Sequence, residues 1–191
     1  MSVIDPRKRE VQLKLVYYGM GLSGKTTNLA YLHHHVIGEE KSDFLTIATE
    51  GERTLFFDYL PVDLGTIRGF KVRLKTYTVP GQTMYAITRS TVLSGADGVV
   101  FVVDSGPGKL EENEASYQEL RQVLERQRRK WDTFPVVVQY NKRDLPDALP
   151  LEDLDRVINL RHDPVIEAVA SQGVGVFESF REIARMVVKS L

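Results

Sequence analysis

The sequence of 191 residues contains no cysteine. Disulfide bonds, thiolate metal sites and cysteine-linked lipid anchors are therefore excluded, and Ser2 stands where N-myristoylation needs glycine. No apolar run approaches the roughly 20 residues that span a bilayer, and the first residues lack the apolar core of a signal peptide. We expect a cytoplasmic protein without a lipid anchor.

A large excess of charge of either sign is also absent. The 25 basic residues nearly balance the 26 acidic ones, which leaves a formal net charge of −1. A chain without a global field does not recruit nucleic acid or an anionic membrane, so any partner must be recognised by a local surface. The length and the hydrophobic content of 42% suit one α/β domain that spans residues 1–191.

Strand-like and helix-like segments alternate along the chain. Strands are predicted at residues 11–18, 54–60, 70–79, 98–103, 135–141 and 165–169, and helices at 25–35, 110–131 and 177–191. The nearly apolar strands at 98–103 and 135–141 are typical of a parallel sheet that is covered on both faces. We predict a doubly wound α/β fold with six strands, mostly parallel, and with ligands at the carboxyl ends of the strands.

The segments at 54–60 and 70–79 are an exception, because the connection between them is too short for a crossover helix. They should form an antiparallel hairpin, which makes one strand of the sheet antiparallel. A turn centred near Gly65 and Thr66 would place Thr54 about opposite Thr78. Both threonines would then reach one common site.

A phosphate-binding loop (P-loop) is predicted between the first strand and the first helix. Residues 19–26 read GMGLSGKT, which fits the pattern G-x-x-x-x-G-K-[ST]. In such a loop, backbone N–H groups and the helix N-terminus bind phosphate oxygens, the lysine meets the β and γ phosphates, and the threonine hydroxyl binds Mg²⁺. The alternative is a glycine-rich turn without a ligand. The predicted binding residues are Gly19, Gly21, Leu22, Ser23, Gly24, Lys25, Thr26 and Thr27.

A second motif predicts which base the nucleotide carries. Asn141, Lys142, Arg143 and Asp144 form an N-K-x-D sequence at the end of a buried strand. The Asp144 carboxylate can accept hydrogen bonds from guanine N1–H and the exocyclic amine, whereas adenine would leave this charge unpaired. Asn141 would brace neighbouring loops, and the Lys142 stem would cover the base plane. The alternative is a polar strand exit without a ligand.

Three weaker signals remain. Ala170 and Ser171 in the sequence ASQG would let the backbone approach the base, although a strand-to-helix turn explains them equally well. The consecutive histidines at 33–35 diverge around a helix and do not converge on one metal ion. The basic run at 126–130 suits the C-terminus of a helix, where cations complement the dipole.

These motifs and their surroundings make the chain resemble the Ras-like small GTPases, and among them the bacterial MglA (mutual gliding protein) family. The resembling stretches are YYGMGLSGKTTN, ATEGERTLFFDYLPVDLG, TVPGQ and NKRDLPDALP. The resemblance implies a Ras-like G domain that binds GTP or GDP with Mg²⁺ and hydrolyses GTP, slowly without a partner. It also implies control of cell polarity or gliding motility, a monomer when alone, a Roadblock-type (MglB-like) GTPase-activating partner, and effectors that bind the switch regions.

The resemblance assigns further roles that the P-loop and base motifs do not. Thr54 corresponds to the first-switch threonine that binds Mg²⁺ together with Thr26, and Gly81 to the glycine that senses the γ-phosphate. Gln82 is similar to the residue that orients the attacking water. Arg53 is similar to an arginine finger supplied by the chain itself. Catalysis would then depend on these two side chains and the P-loop lysine, Lys25.

The second switch departs from the usual Ras-like pattern. Most members read D-x-x-G, with an aspartate that holds Mg²⁺ through water, whereas this chain has Thr78 at that position. Threonine brings no charge, so we expect weaker Mg²⁺ binding or compensation elsewhere. The predicted register of the hairpin places Asp58 about four residues, or roughly 13 Å, from the site. Asp58 is therefore not a candidate to replace the missing aspartate. Thr78 favours an alternative, a GTP-dependent interaction module with negligible hydrolysis, which Gln82 and Arg53 oppose.

Overall fold

The computed structural model describes residues 3–35, 45–46, 58–80 and 86–190. Its strands are β1 Val3–Asp5, β2 Glu10–Tyr18, β3 Leu45–Thr46, β4 Asp58–Ile67, β5 Phe70–Thr78, β6 Gly98–Asp104, β7 Val136–Asn141 and β8 Val165–Glu167. Its helices are α1 Lys25–His35, α2 Ala86–Leu93, α3 Leu110–Arg126, α4 Leu151–Val157 and α5 Val176–Lys189, with 3₁₀ turns at Trp131–Thr133 and Ala170–Gln172. Within these ranges, no helix is both long and apolar enough to cross a bilayer.

The strands form one mixed sheet in the order β3-β4-β5-β2-β6-β7-β8. The central pairings of β2 with β5 and β6, of β6 with β7 and of β7 with β8 are parallel, whereas β4 runs antiparallel to β3 and β5. The predicted mostly parallel α/β fold is confirmed. The count of six strands is wrong, because in the described part of the chain seven strands lie side by side and β1 pairs antiparallel to the start of β2.

The core lies in two layers, one on each face of the sheet. Val99, Phe101 and Val103 of β6 belong to the layer that contains α3, whereas Val100 and Val102 belong to the layer that contains α1 and α5. Alternate side chains of one strand therefore enter both layers, which explains why β6 and β7 are apolar almost throughout. Each such side chain contributes about 1.5–3 kcal/mol through its burial.

Helix α3 ends earlier than the periodic pattern predicts. It ends at Arg126, and not at residue 131, because Arg128 adopts a left-handed φ of 58° and Arg129 N–H donates to Leu124 O. Trp131 nevertheless packs edge-on against Tyr117 of α3, with ring centroids 5.3 Å apart. The apolar pattern continues past the end of the helix because the chain folds Trp131 back onto the same core layer.

The hairpin of β4 and β5 has a different register from the one predicted. Its turn lies at Arg68 and Gly69, and Gly65 instead belongs to an irregularity between Asp63 and Thr66. Beyond this irregularity the pairs run from Asp63↔Arg73 to Tyr59↔Tyr77. One further step sets Asp58 opposite Thr78, so the predicted pairing of Thr54 with Thr78 does not fit. The reason for excluding Asp58 is therefore wrong, while Thr54 itself lies outside the described residues.

Candidate nucleotide site

Three parallel strands bring the predicted motifs to one edge of the sheet. The P-loop follows β2, Asp104 ends β6, and Asn141 ends β7, and these last two residues are direct partners in the β6–β7 pairing. Because the carboxyl ends of parallel strands meet at the same edge, the loops that follow them share one crevice. This edge is the ligand edge of the predicted fold.

Two glycines of the P-loop occupy positions that no other residue fits. Gly19 has a φ of 145°, and a Cβ there would lie 2.2 Å from the carbonyl oxygen of Val102 in β6. Gly24 has a φ of 104°, and its Cβ would lie 2.2 Å from Nδ2 of Asn141. Both positions therefore need glycine for conformation and for space. The P-loop backbone is pressed directly against the ends of β6 and β7.

The interior of the P-loop fits a polyphosphate. Lys25 is buried, and its Nζ donates to the carbonyl oxygens of Gly19 at 3.0 Å and Met20 at 2.6 Å, which fixes the ammonium inside the loop. No backbone N–H of residues 21–24 donates to an acceptor in the described part of the chain, and the buried Ser23 Oγ has no partner there. Unpaired donors beside a fixed cation suit phosphate oxygens.

The remaining P-loop residues lie at the start of α1 and in the loop before it. Thr26 and Thr27 are exposed in its first turn, where a hydroxyl can reach a metal ion or phosphate. Leu22 is exposed and adopts a left-handed φ of 62°, so it contributes its backbone and not its side chain. Gly21 is partly exposed at the tip of the loop.

Asn141 joins the loops of the site through both ends of its side-chain amide. Its Nδ2 donates to the carbonyl oxygen of Ser23 at 2.8 Å, and its Oδ1 accepts from the N–H of Ala170 at 2.9 Å. The P-loop, the end of β7 and the 3₁₀ turn after β8 are thereby held together. Ser171 is exposed in that turn.

Lys142 and Asp144 occupy different environments. Lys142 adopts a left-handed φ of 62°, and its Nζ lies 2.7 Å from Oδ2 of the buried Asp104. The other carboxylate oxygen, Oδ1, accepts from the N–H of Gly106. Asp144 is exposed, so its carboxylate can meet a ligand. The base motif therefore combines one lysine fixed by an ion pair with one accessible carboxylate.

Sequence reasoning missed Asp104 and Arg143. Asp104 ends an apolar strand beside the strand of the base motif, and a charge at such a strand end is the signal that identifies it. Arg143 donates from Nη1 to the carbonyl oxygen of Leu149 at 2.7 Å and from Nε to Glu167 at 3.1 Å. It fixes the loop after β7 against β8. Nothing in the motif itself specifies this role, because any residue satisfies its x position.

The approach to the second switch is held by an ion pair. Thr78 is buried at the end of β5, and Pro80 follows shortly after. Arg89 of α2 donates from Nη1 to the carbonyl oxygen of Pro80 at 3.5 Å and from Nη2 to Glu119 of α3 at 2.7 Å. The chain before the second switch is thus connected to two helices. Four predicted site residues lie outside the described ranges, namely Arg53, Thr54, Gly81 and Gln82.

Comparison with known proteins agrees with this geometry. The sequence profile of the ADP-ribosylation factor (Arf) family matches residues 2–187. The chain belongs to this family of small GTPases. It is 47% identical over 191 residues to the mutual gliding-motility protein MglA of Myxococcus xanthus, which covers 100% of this chain and 98% of the relative. It is also 30% identical over 189 residues to the mouse ADP-ribosylation factor-like protein 14, which covers 96% of this chain and 88% of that relative.

The predicted resemblance to the MglA branch of the Ras-like GTPases is therefore confirmed. This small GTPase shares its whole length with the MglA of Myxococcus xanthus. Membership in the family implies GTP hydrolysis in general, and the use of guanine nucleotide with Mg²⁺. These properties fit the paired loops at the carboxyl edge of the sheet.

Proposed function

We propose that the chain is a GTP-binding and GTP-hydrolysing molecular switch of the MglA type, acting in bacterial cell polarity or gliding motility. The observation that carries the proposal is the Asn141 amide, which bonds to Ser23 in the P-loop and to Ala170 in the turn after β8. A loop built for phosphate and a loop with an accessible carboxylate are thus braced by one side chain. A guanine nucleotide has phosphates for the first loop and a base with hydrogen-bond donors for the second.

Lys25 and the N–H groups of residues 21–24 bind the phosphates in this proposal. Thr26 and Thr54 are the protein ligands of Mg²⁺, and a bound ion would neutralise part of the phosphate charge. Gly81 would sense the γ-phosphate, and the Thr78 hydroxyl would hydrogen-bond a water on the Mg²⁺. The buried, fixed ammonium of Lys25 supports this arrangement, since it needs no reorganisation as charge develops on the phosphates.

The base is bound by the loop after β7 and the turn after β8. Asp144 accepts hydrogen bonds from guanine, and Lys142 covers the base plane while Asp104 holds its ammonium. Ala170 and Ser171 approach the base through their backbone. An adenine base would face Asp144 with an acceptor and leave the carboxylate unpaired.

Hydrolysis depends on two residues of the switches. Gln82 orients water for attack on the γ-phosphate, and Arg53 supplies a cation when it is seated at the phosphates. An arginine in this role contributes about 10³ to 10⁵ in rate, so an enzyme whose Arg53 is unseated is slow. A Roadblock-type, MglB-like partner would raise the rate of GTP hydrolysis by positioning Arg53 at the phosphates. Effectors would bind the same switch regions.

We further propose that the chain forms one G domain over residues 1–191, which is cytoplasmic, monomeric when alone and without affinity for nucleic acid. The near balance of 25 basic and 26 acidic residues supports the last point.

Thr78 favours a second candidate, a GTP-dependent interaction module with negligible hydrolysis, because it replaces the charged residue that usually holds Mg²⁺ through water. Single-turnover hydrolysis of GTP separates the two candidates. The switch is slow alone and accelerated when a Roadblock-type partner is added. Tight GTP binding with no hydrolysis under either condition would favour the interaction module instead.

A further inference from the structure

A chain of polar side chains crosses the core behind the P-loop. Asn28 lies in the first turn of α1, Gln139 lies in β7, and Ser179 lies in α5, and all three are fully buried. Their surroundings are apolar, and Gln139 follows the run Val136, Val137 and Val138. Packing alone would favour an aliphatic residue at these positions.

The central contact is a reciprocal pair of hydrogen bonds between two amides. Asn28 Nδ2 donates to Gln139 Oε1 at 2.9 Å, and Gln139 Nε2 donates to Asn28 Oδ1 at 2.9 Å. Gln139 Nε2 also donates to Ser179 Oγ at 2.9 Å, and the Ser179 hydroxyl donates to the carbonyl oxygen of Gly175 at 2.7 Å. One strand of the sheet and two helices are thereby connected directly through their side chains.

The network ends on the P-loop. Asn28 Nδ2 donates to the carbonyl oxygen of Gly24 at 3.0 Å, in addition to the backbone bond from Asn28 N–H to the same oxygen. Every donor of the two amides is then used, which leaves a single satisfied arrangement. Because the C=O and N–H of a trans peptide point in opposite directions, holding Gly24 O toward the core directs the next N–H, that of Lys25, toward the loop interior.

The same strand carries the base motif. Gln139 precedes Asn141 by two positions in β7, and Asn141 donates to Ser23 O. The strand therefore holds the P-loop at two successive carbonyl oxygens, Ser23 O directly and Gly24 O through Asn28. The first connection belongs to the N-K-x-D motif, whereas the second belongs to no part of it.

We propose that the Asn28–Gln139 amide pair is a positioning device that fixes the phosphate loop relative to the base strand, and so slows release of the nucleotide. This inference rests on the proposed function, because it deepens the account of the same site. Both side chains are fully buried behind the P-loop, so neither would contact the ligand. Loss of the pair would leave the P-loop held to the base strand by the Asn141–Ser23 bond, with Gly24 no longer fixed, so that a nucleotide held at both ends dissociates faster.

The decisive experiment measures release of a fluorescent GDP analogue (mant-GDP) from the double variant N28L/Q139L, in which two amides of similar volume are replaced by leucine. We expect release about tenfold faster than from the wild type, since a hydrogen-bonded connection to the loop is lost. A matched control is Tyr140→Phe. This change removes the hydrogen bond of 2.6 Å from the Tyr140 hydroxyl to Asp155. Tyr140 also lies in β7, but its side chain packs in the core layer on the opposite face of the sheet.

Tyr140→Phe should lower the melting temperature but leave the rate of release within about twofold of the wild type. Release that is unchanged in folded N28L/Q139L, or equally accelerated by Tyr140→Phe, would overturn the inference. If the double variant does not fold, Ser179→Ala tests the same network, and we expect release of mant-GDP about threefold faster than from the wild type. An unchanged rate of release would count against the inference. A wild type that binds no mant-GDP would instead refute the proposed function.

Discussion

Nζ of Lys142 lies 2.7 Å from Oδ2 of Asp104, at the point where two neighbouring parallel strands end. The Asp104 carboxylate is almost fully buried, and its second oxygen accepts from Gly106 N–H. A charge in this position is stable only while its partners remain. The ion pair therefore couples the loop after β6 to the loop that carries the base motif.

Asp104→Asn should weaken nucleotide binding and lower stability together. The amide still accepts from Gly106 N–H but removes the charge that holds Lys142, and we expect a loss of about 1–3 kcal/mol in unfolding free energy. Denaturant titration and mant-GDP affinity measure the two effects. Asp147→Asn, an exposed change on the loop that carries the base motif, is the control and should alter neither.

Gly24→Ala should disable the P-loop. A Cβ there would lie 2.2 Å from Asn141 Nδ2, and the backbone conformation alone costs roughly 1–2 kcal/mol for a non-glycine residue. We expect mant-GDP binding to be lost. Gly69→Ala provides the comparison, because Gly69 also has a positive φ but a Cβ there meets nothing within 4 Å. That variant should lose some stability and keep its affinity, and equal affinity loss in both would contradict the assignment.

Asp58→Asn tests how Mg²⁺ is held without the usual aspartate at position 78. The pairs of β4 and β5 end at Tyr59↔Tyr77, and one further step sets the backbone of Asp58 opposite Thr78. We suppose that Asp58 supplies the charge that threonine lacks. We expect the Mg²⁺ concentration that half-maximally slows GDP release to rise about tenfold. Asp63→Asn on the same strand is the control. A Mg²⁺ dependence that does not move would remove Asp58 from the site.

Arg53→Ala should separate binding from hydrolysis. If Arg53 acts as the arginine finger, the variant keeps its GTP affinity and loses roughly 10³-fold or more of the partner-stimulated rate. Single-turnover hydrolysis and mant-GTP titration check the two quantities. Arg68→Ala, on the exposed turn between β4 and β5, should behave as the wild type. Loss of affinity in step with the rate would indicate a structural role for Arg53.

The parts of the fold that depend on local pattern were predictable from the sequence. The helix Lys25–His35 follows from the P-loop motif, which runs into a helix, and the strands β6 and β7 follow from their apolar runs. Strand β1 was missed because three residues with a half-exposed Ile4 carry no alternating pattern. The end of α3 was misjudged because Trp131 continues the apolar pattern after the helix has stopped.

The parts of the fold that depend on pairing between distant residues were not predictable from the sequence. The register of the hairpin depends on whether Gly65 or Gly69 forms the turn. Both glycines have positive φ, so composition does not distinguish a bulge from a turn. Motifs identified Lys25 and Asn141, but Gln139 and Asn28 are distant in sequence and become partners only through packing of α1 on β7. A buried polar residue in an apolar strand is the one signal that points to such a pair.

Calorimetric titration with GDP and with ADP, both in the presence of Mg²⁺, tests the central claim most directly. The account predicts that GDP binds at least about 10⁴-fold more tightly than ADP, because only guanine pairs with the Asp144 carboxylate. It also predicts that Asp144→Asn shifts the preference toward xanthosine diphosphate. Equal affinities of the wild type for GDP and ADP would contradict the account.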